Sequence, residues 1–559
     1  MARPIGRFCV IVSPTPPRLT KLAALILWED EHLLVVNKPA GWNTHAPAPF
    51  AGEGIYDWLK HREPRWSKLA IIHRLDKETS GVLVLGKTPE ANRSLTAQFT
   101  ERGVHKKYLL CTDRALRAEK FTAISTIVRV GEKYVSRPLL PGGERAETRF
   151  TVVSVQDGQT LLEAEPVTGR THQIRVHAAE HGFPILGDRL YGGTATERVY
   201  LHAIELSLKH PVTDEPLTFR APCDWSADVP PASRRVPQNA NDLRVAILDP
   251  QLTNAVRLIH GASDGWPGLF VDKLGNYLLA QSEHEFRVDQ RAELEQLAQT
   301  HQAHGVYHKG LNRNVRQSKV ADASPQLIFG EASPERFTIR ENGLTYEMSF
   351  SEGYSVGLFL DQRDNRRRFL TGHVAADFDW RSAGPQAEVL NTFAYTCGFS
   401  VAAAKAGART VSLDLSKKYL EWGQRNFTLN GLDPAQHDFI YGDTFDWMRR
   451  LAKKRRSFDV IVLDPPTFSQ SKESGTWQAE KDYGKLVEAA LPLLKPKGVL
   501  LASTNAARLE PEDFLEMLRA AVTKCVRKIV QQHYVPQPPD FPITRAEPAY
   551  LKTVWLRVS

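Results

Sequence analysis

"EVLNTFAYTCGFSVAAAKAGA", Glu388 to Ala408, is an apolar run, a loop of small and polar residues, and a helix-periodic segment closed by Gly407. The same rhythm repeats downstream: "TVSLDLS" leads into "KKYLEWGQRNFTLNG", "DFIYGD" into "TFDWMRRLAKK", and "DVIVLDPP" and "GVLLAST" follow. Strands that are apolar along their whole length need cover on both faces, and amphipathic helices between them provide it. The pattern predicts an α/β, Rossmann-like unit with a parallel sheet over residues 351–559.

Sheets of this kind take ligands at the carboxyl ends of their strands. The loop after the first strand lacks G-x-G-x-x-G, which argues against a dinucleotide. Asp414 and Asp443 end the next two strands; one is placed to accept hydrogen bonds from ribose hydroxyls, the other to meet an adenine amino group. Taken singly, each reads equally well as the N-cap of the helix behind it. The corner Asp464-Pro465-Pro466, with Phe468 behind it, shifts the balance. Two prolines hold a strand end rigid beside a carboxylate and an aromatic face, and an adenosine without phosphates suits this acidic rim.

Upstream the rhythm is different. From Leu25 to about Trp225, runs such as "LLVVNKPAG", "GVLVLGKT", "KYLLCT", "TRFTVVSV" and "TLLEAEPVTG" alternate with Gly, Pro and Asp turns. They predict an α+β unit with a mixed sheet and few helices, the clearest being "PEANRSLTAQFTERG" and "HQIRVHAAEHG". "CDWSADVPPASRRVPQNANDLR", Cys223–Arg244, reads as a linker. Between it and about Phe350 lie strands and one polar helix, "VDQRAELEQLAQTHQAHG", a small α+β unit expected to serve as an RNA-binding accessory. The expected division is thus 1–222, 223–244, 245–350 and 351–559.

Lysine and arginine number 72 against 64 aspartates and glutamates, a basic bias that suits a polyanionic partner. The five cysteines are scattered and never in CxxC spacing, so neither a disulfide framework nor a metal site is expected, and a reducing cytoplasm is the expected compartment. The apolar stretch of "MARPIGRFCVIVSPTPP" is too short for a leader, and no run reaches the roughly 20 apolar residues of a membrane span.

"IIHRLDKETSGVLVLGKT", Ile71–Thr88, contains Asp76. Alone, that carboxylate reads as the polar residue of a Thr/Ser/Gly turn. Its distant neighbours argue otherwise: "VHKKYLL" puts Tyr108 in a strand-like run, and "GRTHQIRVHAAEHGFPILGDRLYGG", Gly169–Gly193, carries more polar residues than a core segment tolerates unpaired. In this order the three blocks resemble the RluA-type pseudouridine synthases, over roughly Leu25 to Lys209. The resemblance implies that Asp76 is the catalytic carboxylate, that Tyr108 packs against the target base, that Arg175 pairs with Asp76, and that no cofactor is needed. His73, Arg74, Arg170 and His172 are candidate phosphate or base contacts. The S4-like module common in that family has no counterpart before Leu25, so target choice is expected to come from elsewhere.

The span from about Val245 to Val558, including "GLFLDQRDNR" at Gly357–Arg366, resembles S-adenosylmethionine-dependent methyltransferases of large-subunit rRNA. "LDLSKKYLEWGQRNFTLNG" and "DPPTFSQSK" are most similar to the RlmK-type guanine-N7 enzymes, with the RlmI-type cytosine-C5 enzymes as the alternative. This resemblance implies S-adenosylmethionine as cofactor. It places Asn391, Thr392, Phe393, Tyr395, Gly398, Asp414, Ser416, Asp443 and Asp464 around the cofactor, and Asp464, Pro465, Pro466 and Phe468 toward the base. Cytosine C5 becomes nucleophilic only after a cysteine adds to C6, whereas guanine N7 carries a ready lone pair. Where the C5 relatives place that cysteine, this chain reads "LLASTNAAR", with Ser503, Thr504 and Asn505. Direct transfer to guanine N7 is therefore expected, with Asp464 orienting the base.

The basic runs "QRDNRRRF" and "KKRRSFD" read as solvated faces, with phosphate tracking as the alternative. Together these readings imply a bifunctional RNA-modifying enzyme acting on 23S rRNA or a pre-ribosomal particle, with no obligate protein partner. The alternatives are a tRNA pseudouridine synthase joined to a cytosine-C5 methyltransferase, and an RNA-binding assembly factor with one inactive site.

Overall fold

The computed structural model describes residues 22, 25–116, 118–139, 143–156, 158–223, 225, 243–244, 246–311, 324–353, 355–381, 386–471 and 475–559. Most of the expected linker, and residues 312–323 of the middle unit, lie outside the described residues.

The N-terminal sheet runs Ile26–Glu29, Leu33–Lys38, Ser80–Gly86, Leu201–Lys209, His105–Thr112, Gln159–Pro166, Arg145–Gln156, Lys120–Val130, Lys133–Arg137, with Ala70–Ile71 and Pro216–Arg220 pairing at its flanks. Its pairs are antiparallel except one, where His202 lies opposite Ser80 and Ala203 opposite Gly81. At that seam Gly81 has φ +112°, and a Cβ there would fall 2.2 Å from the carbonyl oxygen of Ala203. Only glycine lets the two half-sheets meet so closely. The segment entering this strand carries Asp76, so the seam sets its position.

The C-terminal sheet runs Asp438–Tyr441, Arg409–Asp414, Glu388–Thr392, Phe458–Leu463, Leu494–Thr504, Lys552–Val558, Ile529–Val535. The first five are parallel, as the strand–helix rhythm predicts. The expectation of an all-parallel sheet fails at Lys552–Val558, which is antiparallel to both neighbours. No helix separates it from Ile529–Val535, and without a crossover the chain returns antiparallel. Helices Gly398–Lys405, Lys417–Leu429, Thr444–Lys453, Ala479–Ala490 and Pro511–Lys524 cover the sheet.

The middle sheet runs Ala255–His260, Leu269–Leu274, Tyr277–Ser282, Gly305–Gly310, Gln326–Gly330. One face packs Ile259, Val271 and Leu278 against Leu294 of helix Val288–Thr300. Its other face gives Ala255, Leu274, Tyr277 and Leu279 to the same core as Val389 and Val460 of the C-terminal sheet. Burial also moves the expected boundaries. Ala246 and Ile247 bury in the N-terminal core with Leu34 and Leu83, beyond the break expected at residue 245. The hairpin Phe337–Glu341/Leu344–Met348 belongs with the C-terminal unit: the Oδ1 of Asn426 accepts the Glu347 N–H at 2.8 Å, and Tyr346 is buried in that core.

The run "QRDNRRRF" overturns both of its sequence readings. It forms helix Arg363–Thr371, and Arg363, Arg366, Arg367 and Arg368 are all buried. Arg363 pairs with Asp540, Arg366 donates to both oxygens of Glu341 at 2.6 and 2.8 Å, and Arg367 pairs with Glu63 of the N-terminal unit. Buried guanidinium groups persist only where partners replace water. "KKRRSFD" keeps its solvated reading: Lys453, Lys454 and Arg455 are exposed.

Candidate active sites

A cleft of about 740 Å³ opens where the N-terminal half-sheets join, lined among others by Asp76, Lys106, Tyr108, Arg170, His172 and Arg175. The Thr79 N–H donates to the Asp76 carbonyl at 3.1 Å, so the turn read from sequence is real and serves to present the side chain. Arg175 Nη1 lies 3.6 Å from Asp76 Oδ2. Its closest bonds go elsewhere: Nε and Nη2 donate to the two oxygens of Asp188 at 2.7 and 2.8 Å. The expected Asp76–Arg175 pair is present, and a bidentate bond to buried Asp188 fixes the guanidinium plane and leaves one nitrogen toward Asp76.

His172 starts helix Gln173–Glu180 in a left-handed conformation, φ 57°. Its Nδ1 bonds the Tyr191 hydroxyl at 2.7 Å, and its Nε2 faces Asp76 Oδ2 at 3.9 Å. Burial pulls its pKa down, against the pull of Asp76. Tyr108, mid-strand and opposite Ala203 and Ala164, has its phenol held well above the ordinary range by burial and by the charge of Asp76. It therefore presents a neutral ring and hydroxyl.

Lys38 clamps the loop from below. Fully buried, its ammonium donates to the carbonyls of Pro39, Trp42 and Lys77 at 2.9, 2.6 and 3.1 Å. Burial lowers its pKa to about 7, with Glu78 and Asp76 opposing. Thr44 adds a second tie, donating to the Leu75 carbonyl at 2.9 Å. Of the expected RNA contacts, Arg74 is exposed at the cleft, and Arg170 bonds Glu144 at 2.8 Å. His73 is corrected: its Nε2 accepts the Val84 N–H at 3.0 Å, and its ring stacks on Phe99 at 4.7 Å. Burial first, then Lys106, lowers its pKa to about 3, so it is a neutral structural ring with its acceptor in use.

The second site lies at the carboxyl ends of the C-terminal strands. Phe393, Tyr395 and Cys397 all take positive φ, 54°, 49° and 62°, so the loop before helix Gly398–Lys405 is held in a strained curl. Asp414 ties it: its two oxygens accept the N–H groups of Tyr395 and Ser416, each at 2.8 Å. Burial raises its pKa, and those two bonds pull the other way. Tyr395 Oη accepts the Gly357 N–H at 2.9 Å, binding the "GLFLDQR" segment to the loop.

Several cofactor assignments are corrected by where the side chains point. Asn391 donates to Ser400 Oγ at 2.9 Å and Thr392 to the Val462 carbonyl at 2.7 Å; both are buried beneath the loop. Ser416 caps helix Lys417–Leu429 by accepting the Tyr419 N–H, and Asp443 Oδ1 caps helix Thr444–Lys453. The cap readings weighed for these aspartates hold for Asp443. Gly398 begins its helix where a Cβ would press 2.9 Å from Leu358.

Asp464 ends strand Phe458–Leu463, and both of its oxygens lie 3.3 Å from Gln362 Nε2, which also donates to Ser503 Oγ at 2.7 Å. Burial lifts its pKa to about 6, against hydrogen bonding from Ser503 and Gln362. Pro465 is buried, while Phe468 is exposed. The Pro466 carbonyl accepts the Trp477 indole N–H at 2.9 Å, so it serves the hairpin and not the cleft.

A family model described as RNA pseudouridylate synthase matches residues 32–180, and one described as S-adenosylmethionine-dependent methyltransferase matches residues 256–557. The chain belongs to both families. The synthase half is 37% identical over 228 residues to the ribosomal large subunit pseudouridine synthase C of Escherichia coli K12, covering 38% of this chain and 70% of that protein. The methyltransferase half is 32% identical over 310 residues to a ribosomal RNA large subunit methyltransferase of Deinococcus radiodurans, covering 55% and 73%. Among solved structures, SMU.776, a putative methyltransferase complexed with SAH, is 25% identical with a TM-score of 0.50, covering 69% of this chain and 98% of that one.

The methyltransferase half uses S-adenosylmethionine. Its residues fit that group: a carboxylate-rich rim at Asp414 and Asp464 suits a sulfonium cation and ribose hydroxyls, and the loop has no glycine-rich phosphate cradle. When bound, the cofactor supplies an electrophilic methyl. Asp414 and the Tyr395 loop would hold it, with Asp464 facing the acceptor. Sequence reasoning missed Lys38, Asp188, Tyr191 and Gln362. A lysine closing an apolar strand just before proline, "VVNKPAG", was a signal for the first; Gln362 had none.

Proposed function

We propose that this fusion enzyme isomerises a uridine to pseudouridine in its N-terminal cleft and methylates guanine N7 at its C-terminal site, both in large-subunit rRNA. In the first reaction the C1′–N1 bond breaks, the uracil turns, C1′ bonds to C5, and the C5 proton is lost as N1 gains one. Asp76 faces C1′ with the Arg175 guanidinium beside it, while the Tyr108 ring supports the detached base.

The observation that carries the N7 reading is the set of groups beside Asp464. Gln362, Ser503 and the Tyr483 hydroxyl, which bonds the Ser503 carbonyl at 2.9 Å, surround it, and among the described residues no thiol bonds to it. Cys397, in the cofactor loop, is buried with its thiol pushed up to about 12, mainly by burial. A covalent C6 adduct would need a thiolate; a guanine N7 lone pair needs only orientation. That the relatives of both halves carry names placing them on the ribosomal large subunit supports a shared RNA.

The test is nucleoside mass spectrometry of rRNA and tRNA from a deletion strain complemented with Asp76→Ala or Asp464→Ala. Asp76→Ala should lose one pseudouridine and keep the methyl; Asp464→Ala should do the reverse, each falling by about 10³-fold or more in rate. An unchanged pseudouridine content in Asp76→Ala, or a 5-methylcytidine product, would refute the respective half.

A further inference from the structure

A cavity of about 110 Å³ lies between the middle sheet and segment 355–361, beside Tyr395 of the cofactor loop. Polar groups face it from two units. On the middle sheet, Arg257 donates to both oxygens of Asp272 at 2.6 and 3.1 Å, Gln281 Nε2 donates to Asp272 at 3.0 Å, and the buried ammonium of Lys309 stands beside them. On the methyltransferase side, the Oδ2 of Asp361 accepts the Tyr550 hydroxyl at 2.9 Å. Phe359 is 54% exposed, with its ring 5.4 Å from that of Tyr395.

A structural salt bridge accounts for Arg257 and Asp272. Asp361 lines the same cavity, its carboxyl raised by burial against the pull of the Tyr550 hydroxyl and of Arg257 and Arg366, and the half-exposed Phe359 ring lines it too. The cavity is far smaller than the about 300–1,000 Å³ of pockets that enclose a whole small ligand. It suits one base edge, with the sugar left outside.

We infer that this cavity is the base pocket of the methyltransferase and takes the Watson–Crick edge of guanine, with N1–H and N2–H₂ on Asp361, O6 toward Lys309, and Phe359 on the ring face. The inference rests on the reading of Asp464 as the methyl-acceptor corner. Asp361 directly precedes Gln362, the residue bonded to Asp464, so a base gripped at Asp361 by one edge turns another toward the corner. Guanine offers two adjacent donors to a carboxylate. Cytosine offers one, next to an acceptor that would face the second carboxylate oxygen. The middle unit thereby supplies specificity to a reaction carried out by its neighbour.

The test uses the full chain, large-subunit rRNA transcripts made with guanosine or with inosine, which lacks the N2 amine, and the variants Asp361→Asn and Lys309→Met. Both variants should bind S-adenosylmethionine within about twofold of wild type and form pseudouridine normally, while kcat/KM for methylation falls at least about 30-fold. Inosine should lower the wild-type rate about 10-fold and barely affect Asp361→Asn, a coupling that a merely structural role would not produce. Equal inosine effects on both, a cofactor affinity lost with RNA affinity kept, or a cytosine product would overturn the pocket. Normal methylation by Asp361→Asn while Asp464→Ala is dead overturns the pocket alone; wild-type enzyme that methylates no RNA base removes the underlying reading as well.

Discussion

At the scale of single residues, two similar-looking aspartates stand in different surroundings. Asp76 sits a quarter exposed in an open cleft, faced by Arg175 and His172. Asp464 accepts from the neutral donors Gln362 and Ser503, with the charges of Asp361 and Arg366 opposing each other nearby, and burial raises its pKa from 3.8 to about 6. A carboxyl whose folded pKa is raised favours the protonated form. Its burden is absent below about pH 4, grows as pH rises to about 6, and is complete above that. The gap amounts to about 3 kcal/mol at most. Asp464→Asn should therefore be more stable than wild type by about 1–3 kcal/mol at pH 7 and equal to it at pH 4, read from denaturation midpoints at both pH values. A stability difference that does not change with pH would refute this assignment.

At the scale of elements, helix Arg363–Thr371 decides most. As bare sequence it is a charge run, and local periodicity could only assign it to solvent. Four acidic partners, Asp540, Glu341, Glu63 and Glu53, come from three distant stretches of the chain. Removing one partner of such a pair strands the other in a dry environment. Arg367→Ala should destabilise the protein by about 3–5 kcal/mol, whereas Arg367→Met combined with Glu63→Leu should recover most of that loss in urea unfolding. An Arg367→Ala effect below about 1 kcal/mol would show the pair to be a solvated one.

At the scale of the whole molecule, the two enzymes share an interface rather than only a tether. The Phe50 and Tyr534 rings pack edge to face at 4.9 Å, those of His61 and His533 at 4.4 Å, and His373 Nε2 bonds the Lys60 carbonyl at 3.0 Å. Together with Arg367–Glu63, these contacts bury charged and aromatic groups that neither half could leave exposed cheaply. If a protease site is inserted between residues 232 and 233 and cut, the two fragments should co-elute on size exclusion and retain both activities. Separation into free halves would reduce the fusion to effective concentration alone.

The sequence by itself determined the strand–helix rhythm and parallel core of the C-terminal sheet and both families, and it singled out Asp76, Tyr108, Arg175, Asp414 and Asp464 as candidates. These rest on local periodicity, on short motifs and on the order of those motifs along the chain. Only the tertiary structure decided that Asp188 holds Arg175, that Lys38 clamps the Asp76 loop, that Asn391 and Thr392 point inward, and that the arginine run is buried. The physical reason is common to all four: whether a polar side chain faces solvent, a ligand or a partner depends on which distant group replaces its water, and that group is chosen by the folded chain.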